Sequence, residues 1–477
     1  MSFNLSALDY GVIILYLLGM VAIGAIFSKK VTSNDDYALA GRSLTIPVMV
    51  GTSVATCVGA SAAFGNMGLV QKSGVITGLI TLGLWFVGWG VLIVMAIPLR
   101  RSGAITLPDF LSKKFGREAG IIASAVTVIQ QVASVAAQCA SIGAMFALFG
   151  LTDKKTGIII GGVVILLYTI TGGFYAVAVT DVVQCVLLIV CLIGIVPVFA
   201  FSHAGGVAHV FANTSWDWSA VNVPDLIALA LSYFIAAGAH ASYTQRILAS
   251  KDEKTAFVGS VISNGIGWIA NWATVLTACA IPFVMPDLAD HEQFVCALIG
   301  GYFPPVIKGL FISAILACVM STADSFLIMA GTTFSCDVVK PLCPKLSDKQ
   351  VLMISRATTF TVAVLGIGFA LGGGGIFHLF QTGAAAYGAA IFIPLLCGVF
   401  WKGANSKAIN TAMILGCATT LLWNKLGLKA ATDAAIHFPV DGVLAGVILC
   451  AVVAIAGSLI LGASTSREAA SDFAEEA

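Results

Sequence analysis

Charge is what this sequence has least of. Only 10% of its 477 residues are Asp, Glu, Lys or Arg, and 24 basic against 23 acidic side chains leave a net charge of +1. So weak and balanced a charge excludes nucleic acid or any strongly charged macromolecule as a partner. Cysteine occurs twelve times, but no spacing makes a disulfide framework or a metal site. Cys139, Cys185, Cys191, Cys279, Cys397, Cys417 and Cys450 lie inside apolar runs as small fillers, and Cys336 and Cys343 flank Pro341 with no histidine near. Enzymatic patterns are lacking too. His291-Glu292-Gln293-Phe294-Val295 has no second histidine for zinc, and Gly265-Ile266-Gly267-Trp268-Ile269-Ala270 imitates a dinucleotide loop with no strand before it. No nucleophile–base pair stands out, so the chain is not read as an enzyme.

What is present is apolar: 59% hydrophobic residues and a mean hydropathy of +1.00 mark a polytopic, all-α membrane protein. About 20 apolar residues make a span, and thirteen runs qualify: 8–28, 46–69, 75–99, 119–149, 156–171, 177–201, 225–247, 256–285, 304–338, 351–371, 376–401, 405–424 and 440–462. The first is expected to stay as an anchor, since no basic residue precedes it, Asp9 opens it and Lys29-Lys30 follows. An external N-terminus leaves Lys72, Lys154, Lys155, Lys308, Lys425 and Lys429 outside and puts the other eighteen of 24 basic residues, Arg246 included, on the cytoplasmic side. The C-terminus is then cytoplasmic, the expected location is the plasma membrane (the inner membrane of a Gram-negative cell), and no basic residue lies deep in the core.

Spans two to six and seven to eleven are two sets of five, so the second enters the membrane from the opposite side, as in inverted-repeat transporters. The expected division is 1–45 for the first helix and its loop, 46–202 and 203–403 for the repeats, and 404–477 for two last helices and a tail. Gly51, Gly59, Gly65 and Gly68 punctuate span two and Gly238 interrupts span seven at the corresponding place, where broken helices are expected. The Gly157/Gly161 and Gly442/Gly446 spacings point instead to close helix packing. Two polar stripes at helical spacing, Gln131/Ser134/Gln138/Ser141 and Ser260/Asn264/Gly267/Asn271/Thr274, serve interhelical hydrogen bonds or a hydrated path.

The most telling stretch is Leu316 to Ser325, in the middle of an apolar run. A carboxylate at membrane depth costs about 2.5–3.5 kcal/mol on insertion scales and is usually kept for a task. The oxygens of Ser321, Thr322, Asp324 and Ser325 suit a small hard cation, which reads as an ion-coupled transporter.

Several motifs, in order from about residue 35 to 410, resemble the sodium:solute symporter family. Tyr37-Ala38-Leu39-Ala40-Gly41-Arg42-Ser43 is similar to its entry motif, Gly172-Gly173 followed by Thr180-Asp181 and Gln184 to its Gly-Gly…Thr-Asp…Gln motif, Ala317 to Ser325 to its sodium helix, and Phe400-Trp401-Lys402 to a late signature. The resemblance implies a LeuT-type 5+5 inverted repeat with one extra N-terminal and two extra C-terminal helices, and sodium-driven symport of a small polar solute by alternating access. It implies a sodium site from the carbonyls of Ala55, Val58 and Cys318 and the hydroxyls of Ser321 and Thr322. Asp181, Asp324 and Ser325 match a second sodium site or ion exit that some members have. The substrate positions fall at Ser61, Ala62, His240 and Gln381, with Asn271 and Thr274 of the second stripe completing the lining. Sugar-transporting members carry amide or acidic side chains where Ala62 and Thr81 fall, which argues against sugars, and a core without basic residues argues against sialic acid. An organic acid, an amino acid and a vitamin such as pantothenate stay open as solute. Two other readings stand beside this one: a proton-coupled carrier titrating Asp181, Asp324 or His240, and a membrane receptor that binds without flux. Beyond solute, Na+ and bilayer no partner is implied, and a monomer suffices.

Overall fold

Helices satisfy all their backbone hydrogen bonds internally, which hydrocarbon demands of a spanning segment. The computed structural model, which describes residues 3, 5–59, 64–373 and 376–463, is helical accordingly, with no strand among the described residues beyond one isolated bridge between Leu44 and Ser250. Its long elements are α1 (Ala7–Phe27), α2 (Ile46–Cys57), α3 (Asn66–Arg101), α4 (Arg117–Leu148), α5 (Lys154–Leu187), α6 (Val223–Gly238), α7 (Ala241–Ala249), α8 (Glu253–Ala278), α9 (Ile307–Thr333), α10 (Asp348–Gly372), α11 (Ile376–Phe400), α12 (Ser406–Lys425) and α13 (Gly442–Leu461).

Two expected span boundaries are kinks inside continuous helices. In α3 the backbone leaves helical geometry at Gly74, φ +81°. From Lys154 the helical run continues through a π-helical stretch to His203, 50 residues in all, or ~75 Å at 1.5 Å per residue. That is more than twice the ~30 Å hydrocarbon core. Gly173, at φ +54° and ψ −154°, divides it into two lengths. The paired glycines α4 and α5 were expected to use for close approach do so: a Cβ at Gly157 would stand 2.8 Å from that of Phe146, and one at Gly161 2.5 Å from Ile142. Gly446 likewise lets α13 meet Thr420 and the Gly416 carbonyl of α12.

α9 is the central column. Every residue from Phe311 to Thr333 is buried, as befits a helix that is apolar on all sides. It packs on α1, α2, α4, α5 and α10. The outer layer is α1, whose Leu8, Ile14, Leu15, Leu18 and Ile26 are exposed and fit lipid. Asp252 caps α8, and the hydrogen bond from the Thr255 N–H at 2.7 Å holds its carboxyl below the usual carboxylate range.

Asp9, expected only to mark the outer end of the anchor, is buried and caps a helix some 300 residues away. It accepts the N–H groups of Val306 (2.8 Å) and Gly309 (2.9 Å) at the start of α9, beside the left-handed Val306 at φ +72°. The carboxylate thus serves both the positive end of α9 and its unpaired donors. Asp9→Ala is expected to destabilise the protein by about 1 kcal/mol, within the ~0.5–2 kcal/mol range of lost caps, seen as a lowered melting temperature in detergent. Unchanged melting would show that the cap carries no weight.

Candidate ion and solute site

Pro47 opens α2 in its first turn, and the helix stops at Cys57, where Val58 turns out of helical geometry (φ −91°, ψ +59°). Phe64 is helical, and α3 begins at Asn66. The carbonyls of Ala55, Thr56 and Val58 at the end of α2 face α9. Ser321 Oγ donates to the Ala55 carbonyl at 2.9 Å, Thr322 Oγ1 reaches the Thr56 carbonyl at 3.4 Å, and Cys318 Sγ donates to the Val58 carbonyl at 2.7 Å. Both hydroxyls also lie 3.2–3.3 Å from the Cys318 carbonyl. Gly59 admits this approach, since a Cβ there would stand 2.6 Å from Thr322 Oγ1. All five residues of the expected sodium set are thus together, three carbonyls and two hydroxyls at one break. Neutral oxygens replacing a hydration shell are the chemistry by which proteins bind a dehydrated monovalent cation.

Next to this cluster the structure overturns one expectation. Arg246, assigned from sequence to the cytoplasmic side, is fully buried and paired with the equally buried Asp181 at 3.0 Å. Its Nη2 also donates to Thr56 Oγ1 (2.5 Å) and Ser325 Oγ (2.7 Å), its Nε to Thr52 Oγ1 (3.0 Å) and its Nη1 to the Ser242 carbonyl (2.9 Å). The whole of α7 is buried, and it carries the arginine inward from the break in the chain at His240. The core therefore holds a basic residue, and the argument against sialic acid that rested on having none falls away. Thr52 donates to the same Asp181 oxygen, while Oδ1 of that carboxylate has no protein partner. Asp324 points elsewhere: Tyr168 donates to it at 2.8 Å and Ser325 at 3.3 Å.

The solute positions divide. Ser61 and Ala62 lie outside the described residues. α6 ends at Gly238, where a Cβ would overlap the Phe392 ring of α11, and α7 begins at Ala241 with an extended His240 between them. The His240 ring stands edge-on to Trp85 (5.8 Å) and Trp89 (5.9 Å), Trp85 meets Tyr233 at 5.9 Å, and both His240 Nδ1 and Trp89 Nε1 are buried without a partner. Asn271 and Thr274 are already committed: both accept from Asn66 Nδ2, at 3.2 and 2.7 Å, and tie α8 to the start of α3. Gln381 is exposed on α11. In the first stripe Ser134 and Ser141 bond back to carbonyls four residues earlier, and the side-chain oxygens of Gln131 and Gln138 are buried without a partner. Tyr168, Arg246 and the Trp85/Trp89 pair escaped the sequence reading. The signal for Arg246 was available: a span aspartate needs a partner, and α7 interleaves polar residues with its basic one.

Comparison with known proteins identifies the family and the fold. The sequence model of the sodium:solute symporter family matches residues 37–416. The osmoregulated proline transporter OpuE of Bacillus subtilis is 29% identical over 474 residues, covering 94% of this chain and 93% of its own. The high-affinity proline transporter PutP of the same organism is 28% identical (86% and 91% covered), and the sodium/proline symporter of Haemophilus influenzae 27% (88% of each). Among solved structures, a substrate-bound, outward-open Na+-coupled sialic acid symporter superposes with a TM-score of 0.83 at 18% identity, covering 97% of this chain and 100% of that one. Mhp1, a nucleobase-cation-symport-1 family transporter, matches at 0.57 and 12% identity, covering 92% and 98%. At such identities the superpositions speak for the fold alone.

Proposed function

The chain belongs to the sodium:solute symporter family, a family of transporters and not of enzymes, and we propose that the solute it carries with sodium is proline. Sodium is the coupling ion and the protein is a multi-pass membrane transporter of a small molecule. The observation that carries the site assignment is the meeting of the Ala55, Val58 and Cys318 carbonyls with Ser321 and Thr322 at the α2 break. External Na+ bound there fixes α2 against α9 and completes the solute pocket beside it. Occupancy of both then favours rocking of the repeats, 46–202 against 203–403, toward the inward-facing state. Each sodium ion driven by 100 mV contributes ~2.3 kcal/mol, which sustains a solute gradient between about tenfold and a hundredfold.

Proline is supported by the three relatives named as its transporters and by the surroundings of His240. No side chain caps α7, so its N-terminal N–H groups are available to a carboxylate. Trp85 and Tyr233 offer apolar faces to the pyrrolidine ring. The external N-terminus still accords with the charge count once Arg246 is set aside, seventeen basic residues against six. In proteoliposomes, labelled proline is expected to accumulate only with an inward Na+ gradient, and His240→Ala to raise its KM about tenfold. Excess betaine, pantothenate or sialic acid should leave uptake unchanged. Sodium-dependent uptake of one of these in place of proline would overturn the substrate and leave the symporter intact.

A further inference from the structure

Asp181, Thr52, Thr56 and Ser325 converge from three helices on one point, and their oxygens make a set suited to a hard cation. The point is taken by the Arg246 guanidinium, whose hydrogen bonds all go to oxygens and whose face lies 5.5 Å from the Phe174 ring. We propose that Arg246 is the built-in cation of the Asp181 pocket, so that this transporter binds and carries one sodium ion per cycle and not two.

The inference rests on the sodium symport reading and adds a stoichiometry to it. A guanidinium cannot lose its proton, and it presents its donors in a fixed planar fork. Here the fork fits: Nη2 serves Thr56, Asp181 and Ser325, Nε serves Thr52, and Nη1 returns to Ser242 on its own helix. The positive charge is thus hydrogen-bonded in place and tethered to α7. Asp181 has one negative charge and Arg246 neutralises it at 3.0 Å. Asp181 Oδ1 is without a partner, so a mobile Na+ could approach only from that side. It would there meet a fixed positive charge on the other oxygen of the same carboxylate. The second acidic group at this depth, Asp324 of α9, lies beyond Ser325, which donates to its Oδ1, while Tyr168 of α5 holds its Oδ2. The Ala55/Ser321/Thr322 cluster, one turn away and made of neutral oxygens, is left as the place for the transported ion.

Counting ions decides the matter without reference to the solute. Equilibrium binding of ²²Na+ to the purified full-length transporter in detergent is expected to saturate at one ion per chain. Arg246→Met frees the carboxylate and is expected to bind two. If the methionine variant cannot be purified, Arg246→Gln, which keeps hydrogen-bonding capacity without the charge, takes its place. In wild-type proteoliposomes the flux ratio of ²²Na+ to labelled proline should be one to one. Two ions bound to the wild type, or a single ion bound to both wild type and variant, overturns the proposal. An absence of proline flux with one Na+ still bound would count against the solute alone. No sodium bound at all would remove the symport site on which the inference stands.

Discussion

Alanine at both Ser321 and Thr322 raises the sodium concentration for half-maximal solute uptake by a hundredfold or more. The two hydroxyls are side-chain oxygens placed against the Ala55, Thr56 and Cys318 carbonyls at the α2 break. A hydrogen bond or ligand contact to a charged group contributes ~1.5–3 kcal/mol. Losing two therefore weakens ion binding by ~3–6 kcal/mol, and every 1.4 kcal/mol is a factor of ten. Because sodium and solute share one coupling free energy, apparent proline affinity at fixed low sodium falls in parallel. At very high sodium the variant approaches wild-type affinity, which separates a lost ion contact from a damaged solute pocket. Ser313→Ala is the control: its hydroxyl lies in the same buried helix and only bonds back to the Gly309 carbonyl, so sodium activation should be unchanged. A double variant whose activation curve lies within threefold of wild type would dissociate these residues from the ion.

What sequence made legible here was mostly local. Oxygens amid an apolar run at 321–325 announce an ion helix, and glycines around 51–68 announce a break, because both are costs that hydrocarbon imposes on a single segment. The break falls at Cys57–Val58 and the oxygens meet it. Partnerships between distant segments were not legible. Asp9 reads as a topology marker until Val306 and Gly309 are brought to it. Arg246 reads as a cytoplasmic charge because it precedes Lys251, and the polar residues interleaved with it are the local hint that α7 runs through the interior. Its burial follows from Asp181, 65 residues earlier, which the sequence showed as a lone carboxylate next to a Gly-Gly pair. Asn271 and Thr274 were legible as a polar face but not as bonded to Asn66, since the stripe shows direction and not partner. The kinks at Gly74 and Gly173 fall where the sequence was read as boundaries between spans, while the continuation of helix through them was not legible.

Asp181 and Arg246 are expected to respond asymmetrically to mutation. Asp181→Ala leaves a guanidinium in the dry interior with hydroxyls and a carbonyl but no directly paired anion. Removing one member of a buried pair costs about 3–5 kcal/mol, whereas replacing both by apolar groups is often close to neutral. Asp181→Ala is thus expected to lower the melting temperature by several degrees and to reduce the yield of folded protein sharply, and Asp181→Leu/Arg246→Met to recover most of the loss. Adding sodium cannot rescue Asp181→Ala, because a second positive charge beside Arg246 worsens the imbalance. Sodium does rescue Arg246→Met, whose bare carboxylate the ion can neutralise, so its melting temperature climbs with Na+ more steeply than that of the wild type. Thermal melts in detergent over a sodium series at constant ionic strength, with choline as the replacement cation, measure all four proteins together. If Asp181→Ala melted with the wild type, or if sodium stabilised it as much as Arg246→Met, the pair would not be the charge-balanced unit that the buried 3.0 Å contact implies.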